Sequence, residues 1–537
     1  MRISDYRHGL LVLIIATWSA WPAAAQTSGI TAPADAVRRL TIDDAVSLAL
    51  DNNLGIQVAR FNPLIQDMAV AEAHAAWSPT FTTTLQGSNT DLPNTSFLSG
   101  GQGDKTTNGR LASNVGVSKP TPWGGSYTVG WDSTRSTTTN VFSNFSPQLA
   151  SSVAFSVRQP LLRNFSIDSL RQQVLTSEKN REISDVEVQQ TVATTSRLVR
   201  YAYWDLRYAN ASLAVQQQSL DLARESLRET NSRIQIGSTA PIDAVEAQAE
   251  VALREEAVIV AQAQIETAQD TLRALVFNQS SPDFWTTRIE PIDQPAFEPV
   301  TVDVDAVVRR ALQMRTDLQE ARRSLEADDI NVRYFQNQLL PEVTAGFDYG
   351  LAGLGGTQFL RGSGFPGPIV GENQRSFGSV LGDLFTNQYP NWTVALNVSY
   401  PLGRTQQEAN LARARLQVSQ GRTQLKSGEL QVVTQVRNVS RQVQTNQKRV
   451  DSTRASRLLA EQRLDAEQKK LAAGTSTNFI VFQAQRDLAQ AQNNELSAVL
   501  DYNRSLVDLE TIQQAPIAGS AVTVTSTAGA TTAAATR

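Results

Sequence analysis

Two histidines and no cysteine are all that this 537-residue chain offers to imidazole and thiol chemistry. Without cysteine there is no disulfide, no thiol nucleophile, no Cys-ligated zinc and no iron–sulfur cluster. There is also no residue to carry the N-terminal acyl anchor of a lipoprotein. His8 lies in the N-terminal segment and His74 in a region of helical periodicity, so a Ser-His-Asp triad in the mature chain would have to run through His74. No partner signature accompanies it, and packing or surface is its plainer reading. The glycines of Gly353–Gly356 and Gly362–Gly367 lack the lysine spacing and the strand–turn–helix setting of a phosphate loop. A net charge of −4 argues against binding nucleic acid through phosphates. We therefore expect no enzyme, no cofactor and no metal.

Two other groups of residues have spacing that matters. The first is a pair of turns, Gly237-Ser238-Thr239 and Gly474-Thr475-Ser476-Thr477, each ending a long heptad run. Their glycines suit the φ > 0 that ends a helix, and their hydroxyls suit the cap of the next one. They are either turns alone or contact points for a partner. The second is acidic: Asp243 and Glu246 follow the first turn, where the second turn has Ile480 and Gln483. Their plainer role is to complement a helix dipole.

The elements that must position these residues recur along the chain. Val153–Arg163 is repeated as Val394–Arg404, with Pro160 and Pro401 in register, and Gly237 recurs as Gly474 with Ala247-Gln248 matching Ala484-Gln485. Each half reads helix, strand region, long helix, turn, helix. Leu206, Leu213, Leu220, Leu227 and Ile234 stand seven apart, and their counterparts are Val443, Val450, Arg457, Leu464 and Leu471. After the turns, Ala244, Val251, Val258, Ile265 and Leu272 match Val481, Leu488, Glu495, Tyr502 and Leu509. Such spacing predicts left-handed coiled coils. A second seam, Ala209, Gln216, Ala223 and Thr230, is small or polar, and suits close helix packing or a face toward water. Helices over about 168–233 and 406–472 would reach roughly 100 Å at ~1.5 Å per residue. Shorter helices are expected over 41–76, 242–276, 302–337 and 479–511, the first and third stacking end to end with the return helices.

Arg2 and Arg7, the apolar run Gly9–Ala16 and Ala23-Ala24-Ala25 form a secretory signal with cleavage after Ala25. The strand regions 79–87, 343–349 and 392–400 alternate apolar and polar residues, as transmembrane β-strands do. Ser88–Arg110 and Gly350–Asn391 read as long polar loops, and Ser113–Arg135 as an extra hairpin inside or outside the wall. Four strands per chain cannot close a barrel, and an open edge in lipid is costly, so a barrel must be shared between chains.

The paired segments Gln159-Pro160-Leu161 and Tyr400-Pro401-Leu402, with the paired glycine tips, resemble the TolC-type outer-membrane efflux protein family. The resemblance implies an α+β membrane protein and a homotrimer. A 12-stranded β-barrel in outer-membrane lipid would continue into a long periplasmic α-helical barrel. It further implies a passive exit duct for efflux or type I secretion, served by a periplasmic adaptor and an inner-membrane pump of RND or ABC type. Adaptor docking would fall on Gly237, Ser238, Thr239, Gly474, Thr475, Ser476 and Thr477. The acidic pair that some family members carry after the second tip matches Ile480 and Gln483 here, a departure from the family; Asp243 and Glu246 of the first repeat, with Gln483, are the candidate periplasmic constriction, which in a trimer would form acidic rings that favour cations. The expected division is signal peptide 1–25, first repeat 26–277, equatorial linker 278–301, second repeat 302–514 and flexible tail 515–537. The competing reading is a structural periplasmic coiled coil or adhesin without channel activity.

Overall fold

The computed structural model describes residues 37–96, 100–101, 103–280, 284–294, 297–403 and 405–517. The expected signal segment and residues 518–537 of the expected tail lie outside the described residues. The first described element is strand β1 (Val37–Leu40), followed by helices α1 (Ile42–Asn52) and α2 (Leu54–Ala75). The helix predicted over 41–76 is thus divided. Asn53 is extended, at φ −65° and ψ 122°, and its side chain accepts from the Ile56 N–H to cap α2. Four antiparallel strands follow: β2 (Thr80–Pro93), β3 (Lys105–Pro120), β4 (Ser126–Thr138) and β5 (Phe145–Pro160). Next comes helix α3 (Ser169–Gln235), capped by the Asp168 carboxylate on the Arg171 N–H, then α4 (Pro241–Val276) and the short strand β6 (Arg288–Pro291). The second half holds α5 (Val304–Met314), α6 (Thr316–Gln338), β7 (Glu342–Arg361), β8 (Ile369–Arg375), α7 (Phe377–Phe385), β9 (Pro390–Ser399), α8 (Gln406–Ala472) and α9 (Asn478–Thr511). Its predicted 302–337 helix is likewise broken, at Arg315 (φ −63°, ψ 128°).

The long helices α3 and α8 have 67 residues each, about 100 Å at ~1.5 Å per residue. α2 and α4 both pack on α3, and α6 and α9 both pack on α8, so short helices complete each long one. Heptad residues Leu206, Leu220, Val443, Val450 and Leu464 are buried. Ala209, Ala223 and Thr230 are buried too, which resolves the small seam as close packing. Ala209 joins the cluster that holds Ile265 and Leu272 of α4; elsewhere on α3 the Ser212 hydroxyl stands 3.3 Å from Asn493 of α9, and Gln485 of α9 donates to Ser226 Oγ at 3.1 Å.

The linker between the halves is anchored on both helical pairs. β6 pairs in parallel with β1. The fully buried Tyr203 of α3 places its hydroxyl 3.0 Å from the Leu40 carbonyl and accepts from the Asp293 N–H at 3.1 Å. Tyr502 of α9, equally buried, donates to the Glu298 carbonyl at 2.6 Å.

Three expectations about the strands and tail need correction. The chain supplies six lanes of sheet where four are expected. The order is β2-β3-β4-β5-β7, with β8 and β9 sharing the far edge of β7. The two lanes beyond expectation come from the first half, which holds four of the six, β2 to β5. Ser88–Arg110 is mostly strand, because β2 and β3 stay paired out to Pro93 and Lys105, helped by Asp91 accepting from Lys105 and Thr107. Gly350–Asn391 likewise carries the end of β7, all of β8 and α7. The extra hairpin at 113–135 belongs to the sheet, as β3 and β4 joined by a turn over 121–125. Finally, Ala515 is fully buried and Ile517 packs beside Ala311 and Val432, so the segment expected to be free is bound at its start.

Candidate functional site

At the far end of the helices the two turns share one geometry. Gly237 and Gly474 both have φ +75°. The N–H of Ser238 returns to the Arg233 carbonyl at 2.9 Å, and that of Thr475 to the Lys470 carbonyl at 2.9 Å. A Cβ built on either glycine meets nothing within 4 Å. Glycine is therefore demanded by the backbone, and the space beside it is open. The hydroxyls do not cap the following helices as predicted. Ser238 Oγ donates to the Arg233 carbonyl (3.0 Å) and Thr475 Oγ1 to the Lys470 carbonyl (3.2 Å). Both satisfy the helix that ends, not the one that begins. α4 starts on Pro241, and Thr477 makes no side-chain cap bond to α9. Ser476 donates to Glu467 at 2.8 Å, and Lys470 pairs with the other oxygen of Glu467 at 2.8 Å. The Lys470 bond first, then that from Ser476, holds the Glu467 carboxyl below the usual range.

Gly237, Ser238, Gly474, Thr475 and Thr477 are exposed, Thr239 and Ser476 half-buried. Beside them stand residues that the heptads did not single out: Ile236 is 79% exposed, with Ile242, Val245 and Phe479 also open. They flank the turns but fall off the buried seam, which is the pattern that could have found them. Asp243 lies in the first turn of α4, half-buried, with Glu246 exposed one turn on. Gln483 donates to Asp487, which pairs with Arg463 at 2.7 Å.

At the other end, the sheet has two chemically distinct faces. Residues directly opposite in neighbouring strands point to the same side. One register row runs Phe81, Val117, Val129, Phe155, Tyr349, Trp392 across all six lanes. The next row, facing the other way, runs Thr82, Gly116, Gly130, Ala154, Gly350, Asn391. Polar ties line that second face. Asn114 donates to Asp132 at 2.5 Å, and Asp348 accepts from Ser156 at 2.6 Å and Arg158 at 3.0 Å. A cleft bordered by Thr84, Arg110, Asp132, Ser152 and Ala352 shows that the sheet curls around this polar face.

His74 sits near the end of α2, its ring edge-on to Trp77 (5.5 Å) and its Nε2 3.9 Å from Glu178. Among the described residues no group of three His, Cys, Asp or Glu is arranged to hold a metal ion. No described helix is long and apolar enough to cross a membrane.

A family model for outer membrane efflux proteins matches residues 124–276 and 307–513. This chain belongs to the outer membrane efflux protein family. The match takes in β4, β5, both long helical pairs and the second strand region, and leaves β2 and β3 outside. No curated protein matches the sequence. Among solved structures, the Campylobacter jejuni CmeC outer membrane channel is similar over 88% of this chain and 85% of its own, with TM-score 0.61 at 13% identity. VceC of Vibrio cholerae aligns over 88% and 95% (TM-score 0.57, 18% identity). The open state of the Neisseria gonorrhoeae MtrE channel aligns over 88% and 89% (TM-score 0.56, 17% identity). At these identities the likeness is one of fold.

Proposed function

We propose that this efflux family member is the outer-membrane exit duct of a tripartite pump, passing small molecules without doing chemistry on them. The observation that carries the reading is the two-faced sheet joined to ~100 Å helices. An apolar outer row suits lipid, a polar inner face suits water, and the helices extend far enough to reach across a periplasm. The sheet has two open edges, β2 and β9, whose unpaired backbone groups would be costly in lipid, so the barrel is shared between copies, three of them as the resemblance to TolC-type channels implies. The export signal 1–25 delivers the chain to the envelope. The two repeats 26–277 and 302–514 then form alternate staves of one wall, with 278–301 as the belt at its waist.

A periplasmic adaptor docks on the tips, at Gly237, Ser238, Thr239 and Gly474–Thr477. The exposed Ile236, Ile242, Val245 and Phe479 offer it apolar anchors. An inner-membrane pump supplies the energy. Asp243 and Glu246, repeated three times around the mouth, form its acidic constriction. Detergent extraction of outer membranes tests the reading. A heat-modifiable trimer that conducts in planar bilayers is expected, and a soluble monomer that does not conduct would overturn it.

A further inference from the structure

We infer that all six lanes of the sheet lie in the membrane wall, so that three copies close a barrel of eighteen strands, lined by the polar face. This rests on the trimeric-channel reading and specifies the width of its pore. The amphipathic pattern does not stop at the strands matched by the family model. It continues without a break through β2 and β3, where Phe81 and Val117 extend the row begun by Val129, Phe155, Tyr349 and Trp392. Leu85 of β2 points to the same side, 76% exposed. A hairpin folded outside the membrane would have no reason to present that row on one face and Thr82, Thr84 and Gln86 on the other.

Exposure marks where the neighbouring copies belong. β2 is exposed along all fourteen residues and β9 along all but one, whereas β3, β4 and β5 between them are largely half-buried. The strand directions also match. Every neighbouring pair is antiparallel and the lane number is even, so β9 of one copy meets β2 of the next antiparallel as well. A closed ring of alternating strands results with no edge left. The apolar band fits a bilayer. Trp392 to Tyr400 spans nine residues, about 26 Å at ~3.3 Å per residue, before tilt. With strands ~4.8 Å apart and tilted ~40°, eighteen strands give a backbone diameter of about 36 Å, against about 24 Å for twelve.

The cysteine-free chain allows a direct test in the full trimer reconstituted in liposomes. Single substitutions Leu85→Cys and Val115→Cys place a fluorophore on the apolar face of β2 and β3, and Thr84→Cys and Ala112→Cys place it on the polar face. Brominated lipid should quench the first pair strongly and the second pair little, and density maps of the trimer should count eighteen strands. Twelve strands, or equal quenching on both faces of β2 and β3, would overturn the inference while leaving the channel intact. Absence of any trimer in the outer membrane would overturn the channel reading and this inference with it.

Discussion

Arg457 of α8 and Glu495 of α9 form an ion pair at the level where their heptad counterparts in the first half, Leu220 and Val258, are apolar. Each is the one charged residue in its predicted seam, and the two interruptions answer each other. Arg457 also holds Glu461 at 2.5 Å, and Arg454 reaches Glu495 at 3.4 Å. Glu495 retains 15% of its side-chain exposure and Arg457 27%, so the pair is half shielded. Removing one partner leaves a partly desolvated charge; removing both restores the apolar seam of the first half. Arg457→Leu is expected to destabilise by about 1–3 kcal/mol, and Arg457→Leu with Glu495→Val to regain most of that loss. Thermal dissociation of the trimer on seminative gels reads the difference. Additive losses in the double variant would show that the pair is not coupled.

The turn at Gly474 should respond to acid. Lys470 and Ser476 both favour the ionised form of Glu467, so its carboxyl is depressed in the folded state. A depressed carboxyl stabilises fully above the ordinary glutamate value and loses that contribution as pH falls through the lowered one. Amide exchange over 474–477 is therefore expected to quicken, beyond its intrinsic pH dependence, as pH drops below about 4.3. Glu467→Gln should abolish the extra step. A step of the same size in that variant would assign it to other groups.

Helix ends were legible because their signals are local. The heptad runs and the two glycines that end them place the 67-residue helices almost to the residue. Lane number was not legible, and the reason is chemical. The polar face is built from Thr, Ser, Gly and Asn, which on their own read as loop. Ser88–Pro93 of β2 is almost wholly polar, so it lacks alternation while keeping its pairing with β3. The breaks at Asn53 and Arg315 were hidden for a different reason. Apolar periodicity continues across both, and the Arg315 guanidinium that fixes the second, fully buried against Asp317 at 2.6 Å, is a tertiary contact. Among the tip residues the glycines were legible from φ alone, while the hydroxyls bonded backward to the helix they follow.

Asp243 and Glu246 separate two roles by measurement. If they ring the periplasmic mouth, Asp243→Asn with Glu246→Gln should lower cation selectivity, moving the reversal potential in a salt gradient toward zero. Block by multivalent cations should weaken with it. If they serve only the α4 dipole, the cost is about 0.3–1 kcal/mol of helix stability, and conductance, selectivity and block stay as they were.

The open space beside Gly237 and Gly474 makes the docking test clean. No atom lies within 4 Å of a Cβ at either position, so a large side chain meets no internal clash. The cost is that of φ +75° for a non-glycine residue, about 1–2 kcal/mol, and it falls on an exposed turn. Gly237→Trp and Gly474→Trp are therefore expected to preserve trimers and single-channel conductance. If the adaptor docks on the tips as proposed, cells carrying them should lose resistance to exported compounds, because the bulk occupies its place. Ile236→Asp and Phe479→Asp should do the same by replacing apolar anchors with charge. Trimers lost with export would instead assign these residues to folding, and export retained with trimers would move the docking surface away from the tips.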